Sequence, residues 1–298
     1  MKEFKFKKID AFATKTSGGN PAGCIWLDTQ ADISAIEMQQ IAKELKGFVN
    51  EVGYICKSSH NLFDLKFYSS EREVDFCGHA TIAIMYDLIK NNADLQQTEI
   101  LQIKTNRGLL NVENRIKNED AVFIVSPEPT ENRRIPEIDD IANNLKINTN
   151  EIDSTYPVAH INAGLSTLIV PVKTFDSIIA ISPDLETLKT FCIKSGIDII
   201  EVFSTETSDK SNQYRTRVFA PKFGYIEDPA TGSGNAAFGY YLIKLDLWKS
   251  GIVSIEQNGD RDQFNIVKLQ RQIDQKGNDR VLFGGGAITR IEGKYRLQ

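Results

Sequence analysis

The sequence is poor in the residues that build metal centres and disulfide frameworks. Its 298 residues include four cysteines and three histidines. They stand far apart: Cys24, Cys56, Cys77 and Cys192, with His60, His79 and His160. No Cys-x-x-Cys occurs and no histidine pair has zinc-ligand spacing, so no metal and no metal-dependent cofactor is expected. The thiols are expected to be free, as in a reducing compartment. Long apolar runs are lacking as well. Nowhere do about 18 apolar residues run together, so no membrane-spanning helix is expected. The opening segment MKEFKFKKID has no apolar stretch of the roughly 7–15 residues that a secretory leader needs. The resulting expectation is a cytoplasmic protein. Positive charge is not in excess either. A net charge of −5 leaves no basic field for nucleic acid or an anionic membrane, and neither is expected as a partner.

What is present is an ordinary globular composition, 41% apolar and 25% charged, on a chain long enough for two hydrophobic cores. Short segments rich in Phe, Ile, Val and Tyr, bounded by Gly, Asn, Asp or Ser, predict strands. They lie at 3–12, 22–27, 49–56, 62–69, 99–104, 108–114 and 121–125. Between them stand a surface-type helix at 33–45 and a nearly all-apolar helix at 79–90. A helix without a polar face is a buried one. The second half repeats the plan, with strands predicted at 157–160, 165–172, 198–203, 214–220, 252–256, 264–270 and 280–283. A surface helix is predicted near 184–195 and an apolar helix at 234–247.

Shifting the chain by 154 residues lays Gly78 on Gly232, Ala83 on Ala237 and Tyr86 on Tyr240. It also lays Leu88-Ile89-Lys90 on Leu242-Ile243-Lys244. A repeat of this length means two copies of one domain rather than a solenoid. The fold class that follows is α+β: two pseudo-symmetric domains, each a curled mixed sheet around a central apolar helix. The expected halves are 1–122 and 123–286, with the final strand, 287–298, able to return to the first. Both central helices are led by glycine turns. A helix start offers unpaired N–H groups and a partial positive charge, so each is a candidate site for a carboxylate.

The first glycine turn reads Asp75-Phe76-Cys77-Gly78-His79-Ala80-Thr81, the second Glu227-Asp228-Pro229-Ala230-Thr231-Gly232-Ser233-Gly234-Asn235. In the repeat, His79 faces Ser233 and Cys77 faces Thr231. Two further features stand out. One is the turn-rich Gly18-Gly19-Asn20-Pro21-Ala22-Gly23; the other is Glu51, a carboxylate inside the apolar strand Val49-Asn50-Glu51-Val52-Gly53-Tyr54. On residue type alone, Ser233 also suits a helix N-cap, Asp228 an ordinary turn, and Glu51 an exposed strand face.

Taken together these segments resemble the PhzF-like family of the diaminopimelate-epimerase fold. The resemblance rests on GGNPAG, NEVGYI, FCGHATIA, EDPATGSGNAA and the closing VLFGGGAITRIEGKYRL, in family order over essentially the whole chain. It implies an isomerase with its active site at the domain junction. Glu51 would be the proton shuttle, and His79 and Asp228 would assist the transfer. Asn20, Ser233 and the backbone at Gly78 and Gly232 would hold a small carboxylate substrate. No cofactor is implied, and relatives are often homodimers, so a homodimer is an open expectation. Chemically, one glutamate can take a proton from one carbon and return it to another if burial raises its pKa. Val49, Val52 and Tyr54 are the expected apolar neighbours.

The sequence also departs from the epimerase pattern. Epimerases of this fold place a cysteine before each glycine turn. Cys77 fills the first position, but Thr231 fills the second and cannot exchange a proton near neutral pH. A two-base amino-acid epimerase or racemase is therefore the rival within the fold, and Cys77 reads as a packing residue. Gly234-Asn235 replaces the small residues, such as alanine, that are common there. A nucleic-acid methyltransferase is opposed by the absence of any Pro-Pro motif. A non-catalytic carboxylate-binding protein is the rival from another class.

Overall fold

The computed structural model describes residues 1–249 and 251–298. The chain divides into two compact units, Met1–Val125 with Gly284–Gln298, and Ser126–Phe283. No helix among the described residues is long and apolar enough to cross a membrane.

The first unit runs β1 (Lys2–Ala11), β2 (Asn20–Leu27), α1 (Ala35–Glu44), β3 (Glu51–Lys57), β4 (Leu62–Ser69), β5 (Glu73–Val74), α2 (Gly78–Lys90), β6 (Ile100–Thr105), β7 (Gly108–Asn114), α3 (Ile116–Glu119) and β8 (Val122–Val125). Helix α1 starts where the sequence provides a capping box. Ser34 accepts from the Glu37 backbone N–H, and the Glu37 carboxylate accepts from the Ser34 N–H at 2.8 Å. Its Met38, Ile41 and Ala42 pack on one face of the sheet with Val49, Val52 and Tyr54. The other face carries α2, whose Ala80–Tyr86 segment is wholly buried. This helix lies against β1, β2, β3 and β8.

The second unit runs β9 (Thr130–Glu131), α4 (Ile138–Leu145), β10 (Ala159–Asn162), β11 (Ser166–Pro171), α5 (Phe175–Ala180), α6 (Leu185–Ser195), β12 (Ile199–Ser204), β13 (Tyr214–Phe219), β14 (Glu227–Asp228), α7 (Gly232–Lys244), β15 (Val253–Gln257), β16 (Asn265–Ile273) and β17 (Asp279–Gly285), the last crossing the unit boundary. Helices α4, α5 and α6 cover one face through Ile141, Leu145, Ile178, Leu188 and Cys192. The other face holds α7, packed on β10, β11, β12 and β16. There Phe238 and Tyr241 lie 4.7 Å and 5.6 Å, ring to ring, from Phe203. The closing strand β18 (Ala287–Leu297) pairs antiparallel with β1 in the first unit.

The two units share one pairing scheme. In the first, β1/β2, β3/β4 and β6/β7 are antiparallel, and β2/β3 and β4/β6 are parallel. In the second, β10/β11, β12/β13 and β15/β16 are antiparallel, and β11/β12 and β13/β15 are parallel. Helices α2 and α7 both have 13 residues, and their first residues lie 154 apart. Their N-caps have φ/ψ of −131°/113° at Cys77 and −125°/114° at Thr231. The mixed α+β fold around apolar central helices is as expected.

Local details differ from expectation. Helix α7 begins at Gly232, so its N-cap is Thr231 and Ser233 is the second helical residue, not the cap. It stops at Lys244 rather than 247 because Asp246 adopts a left-handed φ of 54° and Leu247 N–H turns back to the Leu242 carbonyl at 2.8 Å. The strand expected at 157–160 lies at Ala159–Asn162. Helices α4 and α5 were not expected. At eight and six residues they are too short for a 3.6-residue period to stand out, and packing rather than propensity sustains them.

Candidate active site

Glu51 is the first residue of β3, opposite Ala22 of β2 and Ser69 of β4. Side chains alternate along a strand, so Glu51 shares a face with Gly53 and opposes Val52 and Tyr54. The Gly53 face is the α2 face: a Cβ at Gly53 would meet Ile84 Cδ1 at 2.3 Å. Val52 and Tyr54 pack instead toward α1, where the Tyr54 hydroxyl donates to the Met38 carbonyl at 2.7 Å. The expected apolar neighbours of Glu51 therefore lie largely on the wrong face. Its true neighbour is the start of α2.

There His79 bridges two groups. Its Nε2 is 3.2 Å from Glu51 Oε2, and its Nδ1 is 3.4 Å from Cys77 Sγ. Glu51 Oε2 is buried and makes no hydrogen bond of good geometry. Among the described residues, Glu51, Cys77 and His79 form a group whose donor atoms lie within 4.8 Å of one another. The two close approaches use different ring nitrogens, so this geometry links the three side chains through the imidazole rather than directing all three at one ion. The Cys77 side chain does not cap the helix, which leaves first-turn N–H groups available at Gly78 and His79.

Asn20 opens β2 and is buried. Its Oδ1 accepts from Asn50 Nδ2 at 2.9 Å, and the Asn50 N–H donates to the Pro21 carbonyl at 3.2 Å. The GGNPAG loop thus anchors the residue just before Glu51.

The second helix start has the same backbone and different side chains. Asp228, in β14 opposite Val218, is buried and accepts a short hydrogen bond from the Thr231 hydroxyl. Gln257, at the end of β15, holds the whole turn. Its Oε1 accepts from the Thr231 N–H at 2.9 Å and from Asn235 Nδ2 at 2.7 Å. Its Nε2 donates to the Asp228 carbonyl at 2.9 Å and to Thr231 Oγ1 at 3.1 Å. Asn265 Nδ2 adds a bond to the Pro229 carbonyl at 2.7 Å. Ser233 is the partly exposed residue of an otherwise buried turn, 231–235. No acidic residue lies in the first turn of α7 and no side chain caps it, so its first-turn N–H groups have no carboxylate of the helix's own to bond.

Two glycine-led helix starts on a repeated mixed sheet, one carrying a glutamate–imidazole–thiol cluster, are matched over nearly the full chain by one known family. The signature of the phenazine biosynthesis-like proteins (PhzC-PhzF) spans residues 9–293. The chain belongs to this family. An uncharacterized isomerase of Clostridium acetobutylicum is 27% identical over 97% of both chains. A crystal structure of a PhzF-family phenazine biosynthesis protein from Bacillus anthracis superposes with a TM-score of 0.87 at 24% identity, covering 100% of both chains. A hydroxyproline epimerase from Agrobacterium vitis shares the fold more distantly, with a TM-score of 0.60 at 11% identity over 99% of this chain and 91% of its own. The chain is accordingly an isomerase of the PhzF family on an epimerase-like fold.

In this PhzF-family site the electrostatics separate thiol from imidazole. Burial pushes the Cys77 thiol above its ordinary range and so keeps it neutral. Burial alone would pull His79 down, but Cys77 Sγ as a hydrogen-bond acceptor at Nδ1 and the Glu51 carboxylate beside Nε2 override it and hold the imidazole well above 6.5. A histidine with a raised folded-state pKa contributes stability that is complete below the unfolded value and is lost as pH rises through the folded one. The stability difference between wild type and His79→Asn should therefore be largest below about pH 6.5 and shrink at higher pH. Urea denaturation at several pH values measures it. A difference that grows with pH would show that His79 is neutral in the fold.

Sequence reasoning did not single out Gln257 or Asn50. Each is a common polar residue whose role depends on a partner on a neighbouring strand or loop. The only available signal was position: Gln257 follows the strand after the second apolar helix, and Asn50 directly precedes Glu51.

Proposed function

We propose that this PhzF-family isomerase moves a proton between two carbons of a small carboxylate, with Glu51 as the sole acid/base. The observation that carries this reading is the buried, unbonded Oε2 of Glu51 beside His79 at an uncapped helix start. Glu51 takes the proton as one C–H bond breaks, and the electron pair enters the conjugated system. It returns the same proton as a C–H bond forms at the other carbon, so the glutamate is regenerated. The His79 imidazolium balances the Glu51 charge and stabilises negative charge developing next to the substrate carboxylate. Asp228, Ser233 and the N–H groups at Gly78 and Gly232 are proposed to bind and orient the substrate. Asn20 supports Glu51 through Asn50.

The two-base rival needs a second proton carrier at position 231. The Thr231 hydroxyl is instead committed to Asp228. A panel of small cyclic and amino-acid carboxylates, incubated in deuterated water and followed by NMR, tests the proposal. A single shuttle carries part of the original hydrogen into product, whereas two bases wash it out. Cys77→Ala is expected to retain most of the activity, within a few-fold of wild type, because the thiol is held neutral; a loss approaching the 10²–10⁴-fold worth of a general base would return the thiol to the mechanism.

A further inference from the structure

One carboxyl group in the second unit has no role in the mechanism above. Glu201, in the middle of β12, is fully buried, and both its carboxyl oxygens lack a hydrogen-bond partner. It lies beneath the first turn of α7: a Cβ at Gly234 would sit 2.7 Å from Glu201 Oε2. Gly234 is the third residue of the helix whose start is proposed to hold the substrate carboxylate. Its missing side chain is the notch that the Glu201 carboxyl occupies. An ionised carboxylate with no counter-charge costs far more in such a place than a neutral acid does.

The strand registers identify what faces it. Glu201 lies opposite Ile169 of β11 and Val218 of β13, and Ile199 Cδ1 and Thr231 Cγ2 also line the Gly234 notch. Arg217 projects from the other face of β13, where it donates to the Ile178 and Ile181 carbonyls and to Glu227. Arg215, two residues away on the same strand, shares that face. On the α7 face, the ionisable groups of neighbouring elements among the described residues include Asp228, opposite Val218, together with Tyr214 of β13, Tyr241 of α7 and Tyr156, which packs on Phe203. None is a cation. Consistently, burial holds the Glu201 carboxyl well above 4.5.

We propose that Glu201 is a positioning residue for the helix start: seated as a neutral acid in the Gly234 notch, it fixes the first turn of α7 and leaves that turn's positive end to a substrate carboxylate. Ionised, it would place a negative charge under the same turn and compete with the ligand. This rests on the reading of Gly232–Ser233 as an anion site.

The test uses the full chain with benzoate as probe, which stays charged throughout. Carbon-13 carboxyl labelling of glutamate, assigned through Glu201→Gln, reports the Glu201 protonation state. Amide shifts of Gly232 and Ser233 report benzoate binding. At pH 6.5 the wild type should show a neutral acid and bind benzoate as Glu201→Gln does. As pH rises and Glu201 ionises, wild-type affinity should fall by about tenfold or more while the Gln variant does not share that loss. Gly234→Ala should weaken benzoate binding in the wild type and much less in a Glu201→Ala background. Wild-type stability relative to Glu201→Gln should also fall as pH rises above about 4.5, the sign required for an acid whose folded-state pKa is raised. An ionised Glu201 at pH 6.5, or identical pH profiles in the two proteins, would overturn the proposal. If benzoate moved neither amide in any variant while Glu201 still titrated as expected, the anion-site reading itself would fail, and the positioning role with it.

Discussion

Glu51→Gln is expected to reduce turnover by a factor of about 10²–10⁴ or more while leaving carboxylate binding nearly intact. Glutamine preserves the shape of the side chain and can still approach His79 Nε2, 3.2 Å away in the wild type, but it cannot take up a proton. The strand that carries it is held by pairs that do not involve the carboxyl group, from Ala22↔Glu51 to Leu27↔Cys56 on one side and Glu51↔Ser69 to Lys57↔Phe63 on the other. Folding should therefore be unaffected. Steady-state kinetics on any substrate found in the carboxylate panel, with benzoate affinity measured in parallel, separates the two effects. Near wild-type turnover in this variant would remove the central residue from the mechanism. Lost binding together with lost turnover would indicate that Glu51 shapes the site rather than carrying the proton.

The second large effect is on stability. Arg215 and Glu256 are both fully buried, with Nη1 3.1 Å from Oε2. The guanidinium lies 5.4 Å from the Phe175 ring and 5.5 Å from the Phe264 ring. It also donates to the Asn258 carbonyl and side chain at 2.8 Å and 3.0 Å. Glu256 in turn accepts from the Ser208 and Asp209 N–H groups at 2.9 Å and 2.7 Å. Arg215→Met leaves that carboxylate buried without its cation, and breaking such a pair on one side costs about 3–5 kcal/mol. Urea unfolding should show a loss of this size. Adding Glu256→Gln should lose less than the sum of the two single changes, because the partners act as one unit. The loss also bears on function. Glu256 precedes Gln257, which holds the glycine turn of α7, so the variant should bind carboxylates more weakly even where it remains folded. A loss below about 1 kcal/mol, the range of an exposed pair, would show that water reaches the pair.

Features of this protein that depend on local pattern were legible in the amino-acid sequence alone. The 154-residue offset between Gly78 and Gly232 is reproduced by two 13-residue helices with nearly identical N-cap angles, because strand and helix periods and glycine turns are read from neighbouring residues. Glu51 stood out as a lone carboxylate in an apolar strand, and the scarcity of histidine and cysteine excluded most metal-ligand spacings. Tertiary structure decided which way those residues face and what they meet. The register of β3 between β2 and β4 turned Glu51 toward α2 and away from Val52 and Tyr54. The packing of α2 on β3, allowed by Gly53, brought the His79 ring between Glu51 and Cys77. In the second unit, parallel pairing of β13 with β15 carried Gln257 to a turn 26 residues away in sequence. The register of β12 placed Glu201 in the notch left by Gly234. These partners are joined through sheet pairing and helix packing between distant segments, which no periodicity within one segment encodes.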